Sequence, residues 1–326
     1  MSKELRISAV QKLRLLARTI RTHPLSLIGI IIVLGFGVTA LLAPILAPPT
    51  SPDPYICPYD GPPYQTAFSG IQPSPTLPSS KHPFGTLAGY DIYYGCIWGI
   101  RTAFYIGTLT TILAVVVGLA VGSLAGYSEG VIDEILMRFT DAFLALPGLF
   151  YVLLVVIALP LRWDLNLGPF TFTILLSQLD KIILALVIIG WPQYARVIRA
   201  EIKKIKEQDF IEAARAVGCS KLRVLTKHIL PSSIDPMLSV VFLNVGGMVI
   251  AASTVSFLGL GPRVGFAEWG SIIASGRNYL VFATPDASQF AWLIALPGVF
   301  LSMFVLGWSL LGDIAVQLTD PTLGGR

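Results

Sequence analysis

The sequence predicts an all-α integral membrane protein with six transmembrane helices and cytoplasmic N- and C-termini, and three observations lead there. The 326 residues are 54% hydrophobic and only 13% charged, about half the charged share of an ordinary water-soluble domain. Five uncharged runs, Leu25 to Ala47, Thr102 to Ser128, Ala142 to Leu161, Pro236 to Pro262 and Ala287 to Gly312, supply the roughly 20 apolar residues a helix needs to cross a bilayer core. Fifteen of the 23 basic residues fall in two segments. One holds Lys3, Arg6, Lys12, Arg14, Arg18 and Arg21. The other holds Arg196, Arg199, Lys203, Lys204, Lys206, Arg215, Lys221, Arg223 and Lys227. Lys and Arg stay on the cytoplasmic side of short loops, so an even number of spans puts both segments inside.

Residues 1–24 form the basic cytoplasmic segment and 25–47 the first span. That span is longer than the roughly 7–15 residues of a signal core and starts late, so it reads as an uncleaved anchor. The outer loop, 48–100, is dense in Pro, Ser and Gly and has no apolar periodicity, the mark of a loop. Cys57 and Cys96 lie on its side of the membrane and are candidates for a disulfide, the alternative being two unrelated buried thiols; Cys219 lies inside.

The remaining spans are expected at about 102–128, 139–161, 181–204, 233–260 and 287–312, within a core of 101–326. The fourth is the shortest in its apolar part, Ile182 to Trp191, and continues toward the cytoplasm through Pro192 to Ile205. Gly118, Gly122 and Gly126 recur every four residues and predict a face where another helix approaches closely. Pro147-Gly148, Pro192 and Pro297-Gly298 interrupt three spans and are places where kinks are expected. Arg263 to Pro285 carries Trp269, Ile272, Ile273 and Tyr279 among polar residues, which predicts a short amphipathic helix on the outer surface.

Several function classes lose support. Ion-coupled carriers keep ionisable groups inside their spans, where they are costly unless used, and the five clear runs contain none. No Gly is followed by Lys, so the phosphate-cradling G-x-x-x-x-G-K-[ST] loop is absent. The three His show no metal-ligand spacing and no catalytic triad pattern. Uphill transport by this chain would need energy from a partner.

The inner loop, 205–231, has signals of its own. Asp209 is placed to cap a helix with Glu212 reaching back from three residues on. Ala213, Ala214 and Ala216 favour the helix, and Gly218 suits the left-handed residue that ends it. Ser220 is positioned to cap a second helix, Lys221 to Leu230, before Pro231 starts a turn into the fifth span. Phe210, Ile211, Ala214 and Val217 are expected on one apolar face. A nucleic-acid-binding helix-turn-helix is disfavoured because the loop is held between two membrane spans.

At these residues the chain resembles a known family. Glu212-Ala213-Ala214, Gly218 and Ile229-Leu230-Pro231 match the EAA signature of ABC-importer permease subunits. The C-type dipeptide and oligopeptide permeases are the nearest subfamily in pattern. His82-Pro83-Phe84-Gly85-Thr86, Trp191-Pro192, Ser256-Phe257-Leu258-Gly259-Leu260-Gly261, Trp269-Gly270 and the ending Leu311-Gly312-Asp313 with Asp320-Pro321 agree. The chain departs from that pattern at Leu87 and Gly89-Tyr90-Asp91, where the family shows Asp and Gly-Arg-Asp, and at Thr254-Val255, where it often shows Glu-x-x-Leu.

The resemblance implies the type I ABC-importer permease fold in a prokaryotic plasma membrane, surrounded by lipid. It implies a second homologous permease subunit, two ATPase subunits and an extracellular substrate-binding protein, with no nucleic acid and no cofactor on this chain. ATP and Mg belong to the ATPases. The coupling residues it points to are Asp209, Phe210, Glu212, Ala213, Ala214, Arg215, Gly218, Leu222 and Pro231. The expected cargo is a di- or oligopeptide, with oligosaccharides or a nickel complex as alternatives within the subfamily. An ion-coupled carrier and a non-transporting scaffold are the rivals from other classes. Asn244, Ser253 and Thr254 of the fifth span are translocation-path candidates from their position alone.

Overall fold

The computed structural model describes residues 24–61, 74–128, 130–167, 170–282 and 290–319. The basic segment at 1–23 and the Asp320-Pro321 ending lie outside the described residues. Among the described residues five helices are long and apolar enough to cross a membrane: α1 (Pro24–Leu46), α2 (Ile92–Tyr127), α5 (Gln178–Lys206), α8 (Leu230–Val255) and α10 (Trp292–Thr319). A sixth span exists only as a bent pair, α3 (Val131–Leu144) and α4 (Gly148–Ala158), which meet at 89°.

The bend falls at Pro147-Gly148, where a kink was expected, and the pair covers 131–158 against the expected 139–161. Pro147 sits at φ −60°, ψ 118° and acts as the N-cap of α4, because proline disfavours helical geometry in the residue before it and has no N–H for the preceding turn. Pro192 and Pro297, by contrast, lie inside continuous helices.

α2 begins ten residues before its uncharged run. Asp91 caps it by accepting a hydrogen bond from Tyr94 N at 3.0 Å, and Arg101 is carried within the helix with its guanidinium 5.0 Å above the Trp98 ring. At 1.5 Å per residue its 36 residues reach about 54 Å, well past the roughly 30 Å hydrocarbon core. The first two turns therefore belong to the outer loop.

The glycine stripe packs as expected. α2 runs along α5 more extensively than any other pair of elements, and a Cβ on Gly118 would stand 2.5 Å from Tyr194 Cβ, one on Gly122 2.5 Å from Ala195 O. Backbone contact of this kind replaces the hydrophobic drive that lipid removes. α1 turns outward instead: Leu34, Leu41 and Ile45 are 62%, 81% and 75% exposed, which suits a helix solvated by hydrocarbon.

Two antiparallel ribbons were not anticipated. β1 (Thr86–Leu87) pairs β2 (Tyr90–Asp91), and β3 (Arg162–Leu167) pairs β4 (Phe170–Leu175) from Arg162 opposite Leu175 to Leu167 opposite Phe170. The second ribbon rises between the end of α4 and the start of α5. Alternation over six residues is a weak signal beside the apolar runs on either side of it.

The outer helix expected between spans five and six exists as α9 (Trp269–Phe282), but its first turn is buried within the bundle. Trp269, 1% exposed, packs with Phe36, Phe300 and Phe304. Cys57 and Cys96 are free thiols, which corrects the disulfide candidate. Cys57 packs with Ala43, Tyr94 and Trp98, whereas Cys96 packs with Leu87, Ile92 and Leu293, so the two sit in separate clusters.

Candidate functional site

Three lysines in the last turn of α5, Lys203, Lys204 and Lys206, complement the negative end of its dipole. The chain then reverses into α6 (Asp209–Ala216). The helix starts one residue earlier than the capping pattern implies. Gln208 is the N-cap, with no side-chain capping bond, which places Asp209 at N1 and Glu212 at N4, one position too far to reach back. Both carboxylates still lie in the first turn, where the helix dipole favours them.

α6 is held from beneath. Ile211 is fully buried among Ile198, Ile202, Ile205, Val224, Ile229 and Met237, with Phe210, Ala214 and Leu225 partly buried beside it. Burying one such side chain contributes about 1.5–3 kcal/mol, enough to fix a helix of two turns against α5 and α8.

The opposite face is open. Asp209, Glu212, Ala213, Arg215 and Gly218 are exposed, and Val217 and Leu222 are 86% and 71% exposed. Val217 was expected on one apolar face with Phe210, Ile211 and Ala214. It is instead the C-cap, φ −78°, ψ 1°, beyond the last helical residue. Gly218 at φ +87° then turns the chain as anticipated, with Gly218 N donating to Arg215 O at 2.9 Å and Cys219 N to Ala214 O at 3.1 Å. Only glycine adopts that backbone without strain.

Ser220 caps α7 (Lys221–Val224), accepting from Arg223 N. The predicted turn at Pro231 is absent. The chain passes through a π-helical turn, Leu225–Ile229, straight into α8, and Leu230 N donates to Leu225 O. The wider turn leaves room for a proline ring that would clash with the carbonyl four residues back in a regular α-helix. Ser232 Oγ donates to His228 O at 3.0 Å and Ser233 Oγ to Ile229 O at 2.8 Å, satisfying carbonyls the irregular turn leaves open. From Lys221 onward the inner loop and the fifth span are therefore one rod.

A second feature braces this end. Asp133 of α3 accepts from Arg199 Nε at 2.5 Å and Nη2 at 2.8 Å and from Lys203 Nζ at 2.7 Å, and Asp141 accepts from Arg196 Nη2 at 2.6 Å. The two-pronged Arg199 contact is directional as well as strong. It was not read from sequence, because Asp133 and Arg199 are far apart in the chain and neither belongs to a local motif.

The path candidates separate. Ser253 is buried and donates to Glu268 Oε1 at 3.0 Å. Glu268 also accepts from Gly270 N and Ser271 N, each at 2.8 Å, and so caps α9. Asn244 and Thr254 are half-buried and stand about 15 Å apart along α8, with Thr254 Oγ1 donating to Ile250 O. The three do not form one site. Glutamate is not among the usual N-cap residues, so a search for caps passes over Glu268.

Comparison with known proteins agrees with this architecture. Residues 118–325 match the family model described as binding-protein-dependent transport system inner membrane component. The dipeptide transport system permease protein DppC of Alkalihalophilus pseudofirmus is 27% identical over 97% of this chain and 92% of its own length. The oligopeptide transport system permease protein OppC of Bacillus subtilis is 28% identical, covering 93% of this chain and 87% of that one. The glutathione transport system permease protein GsiD of Pectobacterium atrosepticum is 31% identical, covering 76% and 74%. Among solved structures, the inward-facing MetNI methionine ABC transporter superposes with a TM-score of 0.52 at 16% identity, over 70% of this chain and 97% of that one, and shares the fold. With its match running from the last third of α2 to the C-terminal end, the chain belongs to the binding-protein-dependent transport system inner membrane components, a family of multi-pass permeases and not of ATPases.

Proposed function

We propose that this chain is one of two permease subunits of a peptide importer and that α6 receives the movement of the ATPase. Permeases of this family work with an ATPase and a substrate-binding protein. The finer reading is a second homologous permease, two ATPase subunits that bind ATP and Mg, and an extracellular binding protein. Peptide as the cargo is motivated by the relatives, whose names specify dipeptide, oligopeptide and glutathione transport. The basic last turn of α5 and the basic residues of the inner loop favour a coupling side, and both chain ends, in the cytoplasm of a prokaryotic cell.

One observation carries the coupling role. α6 is anchored by Ile211 on one side while Glu212, Ala213, Val217 and Leu222 face outward on the other. Exposed apolar residues on and just beyond a short, well-seated helix mark a surface that a cleft in another protein covers. A push on α6 passes to α5 through Ile211 and to α8 through the unbroken rod behind Gly218. A Gly218→Pro variant should insert normally and yet abolish ATP-driven peptide uptake in reconstituted vesicles; uptake at the unmodified rate contradicts the coupling role.

A further inference from the structure

His82 belongs to a stretch that the coupling mechanism leaves unused. Its ring is 12% exposed and lies between two carboxylates, with Nδ1 2.6 Å from Asp91 Oδ2 and Nε2 3.0 Å from Asp60 Oδ2. A carboxylate only accepts, so both ring nitrogens must donate, and only the protonated imidazolium carries two N–H groups. We propose that the His82 bridge makes the attachment of the outer segment 55–61 to the mouth of the second span dependent on proton concentration.

The two arms join different parts of the fold. Asp91 uses its other oxygen to cap α2 at Tyr94 N, so this arm ends on the span itself. Asp60 is also held by Lys81 Nζ at 2.5 Å and donates its own N–H to Gly89 O at 2.8 Å. Asp60, Asp91 and Lys81 are the charged groups facing the ring, and Tyr59 and Tyr90 pack against each other beside it with ring centroids 5.1 Å apart. His82 is itself positioned by its turn, where its N–H donates to Ser79 Oγ and its carbonyl accepts from Gly85 N.

The clamped segment reaches further. Cys57 N donates to Gly265 O and Ala267 N donates to Tyr55 O, both at 2.8 Å, which ties residues 55–61 to the stretch that precedes Glu268 and Trp269. Releasing Asp60 frees one edge of a segment that covers Cys57, a thiol only 4% exposed. The bond to Asp91 chiefly, opposed by burial and aided by Asp60, holds His82 protonated to a higher pH than a free imidazole. Lys81 and then His82 hold Asp60 below the ordinary carboxylate range. The sign follows. The bridge is complete below the free-imidazole value of about 6.5 and is lost as pH rises through the raised value of His82. At the acid end the Asp60 arm is lost as pH falls through the lowered range of Asp60.

The test uses the full chain in lipid nanodiscs. A thiol reagent is applied at pH 5.5, 7 and 9, and modification of Cys57 is read by peptide mass spectrometry. Taking the ratio of each variant to the unmodified chain at the same pH removes the thiol's own pH dependence. His82→Gln should raise the rate about tenfold at pH 5.5, the scale of one lost charge-assisted bond, and the ratio should fall toward one by pH 9. Asp60→Asn, at an exposed position that leaves the Asp91 arm in place, should follow the same pH course and serves alone if His82→Gln does not insert. A ratio that stays constant with pH, or equals one throughout in Asp60→Asn, overturns the proposal.

Discussion

Glu268 uses one carboxylate for three hydrogen bonds, two to the first amides of α9 and one to Ser253. A buried charge persists only when its acceptor sites are filled, so the Ser253 hydroxyl has a structural task at Glu268. Ser253→Ala is expected to lower stability by about 1–3 kcal/mol through the unsatisfied carboxylate while leaving peptide selectivity unchanged; thermal unfolding in detergent and competition uptake assays check the two halves. Single residues were legible where a backbone rule applies. Gly218 at φ +87° is readable because only glycine is comfortable there. The roles of Ser253 and Cys57 were not, because each depends on which distant side chain the folded bundle brings alongside.

α3 and α5 show what an element owes to contacts distant in sequence. The bend at Pro147 turns α3 so that Asp133 meets Arg199 and Lys203. Asp133→Asn keeps the shape, removes the charge, and leaves two half-buried cations facing an amide. The expected cost is about 1–3 kcal/mol, seen as a lower midpoint of thermal unfolding, with salt narrowing the gap to the unmodified chain. Spans were legible because a bilayer demands some 20 apolar residues in a row, and the small-residue stripe on α2 announced its partner face. The bend angle was not legible, since proline marks a break without setting its direction. Charge counting also misplaced the start of α2, because Arg101 rests on Trp98 inside the helix and no run of uncharged residues can include it.

At the scale of the molecule, α6, α5 and α2 form a continuous path of close packing. Ile211 seats α6 on α5, and the Gly118, Gly122 and Gly126 face seats α5 on α2. α8 joins the inner loop directly through its π turn. A displacement at the α6 end therefore moves two spans together. That reading stands on the outward face of α6 meeting an ATPase, and site-specific cross-linking tests it most directly. Cysteine is placed at Val217, 86% exposed, and in a second chain at Leu175, 73% exposed on the opposite ribbon, each co-expressed with the other subunits of the importer. The account predicts that Val217→Cys cross-links to the ATPase subunit and Leu175→Cys does not; an ATPase adduct at Leu175, or none at Val217 in a complex that contains the ATPase, would contradict it.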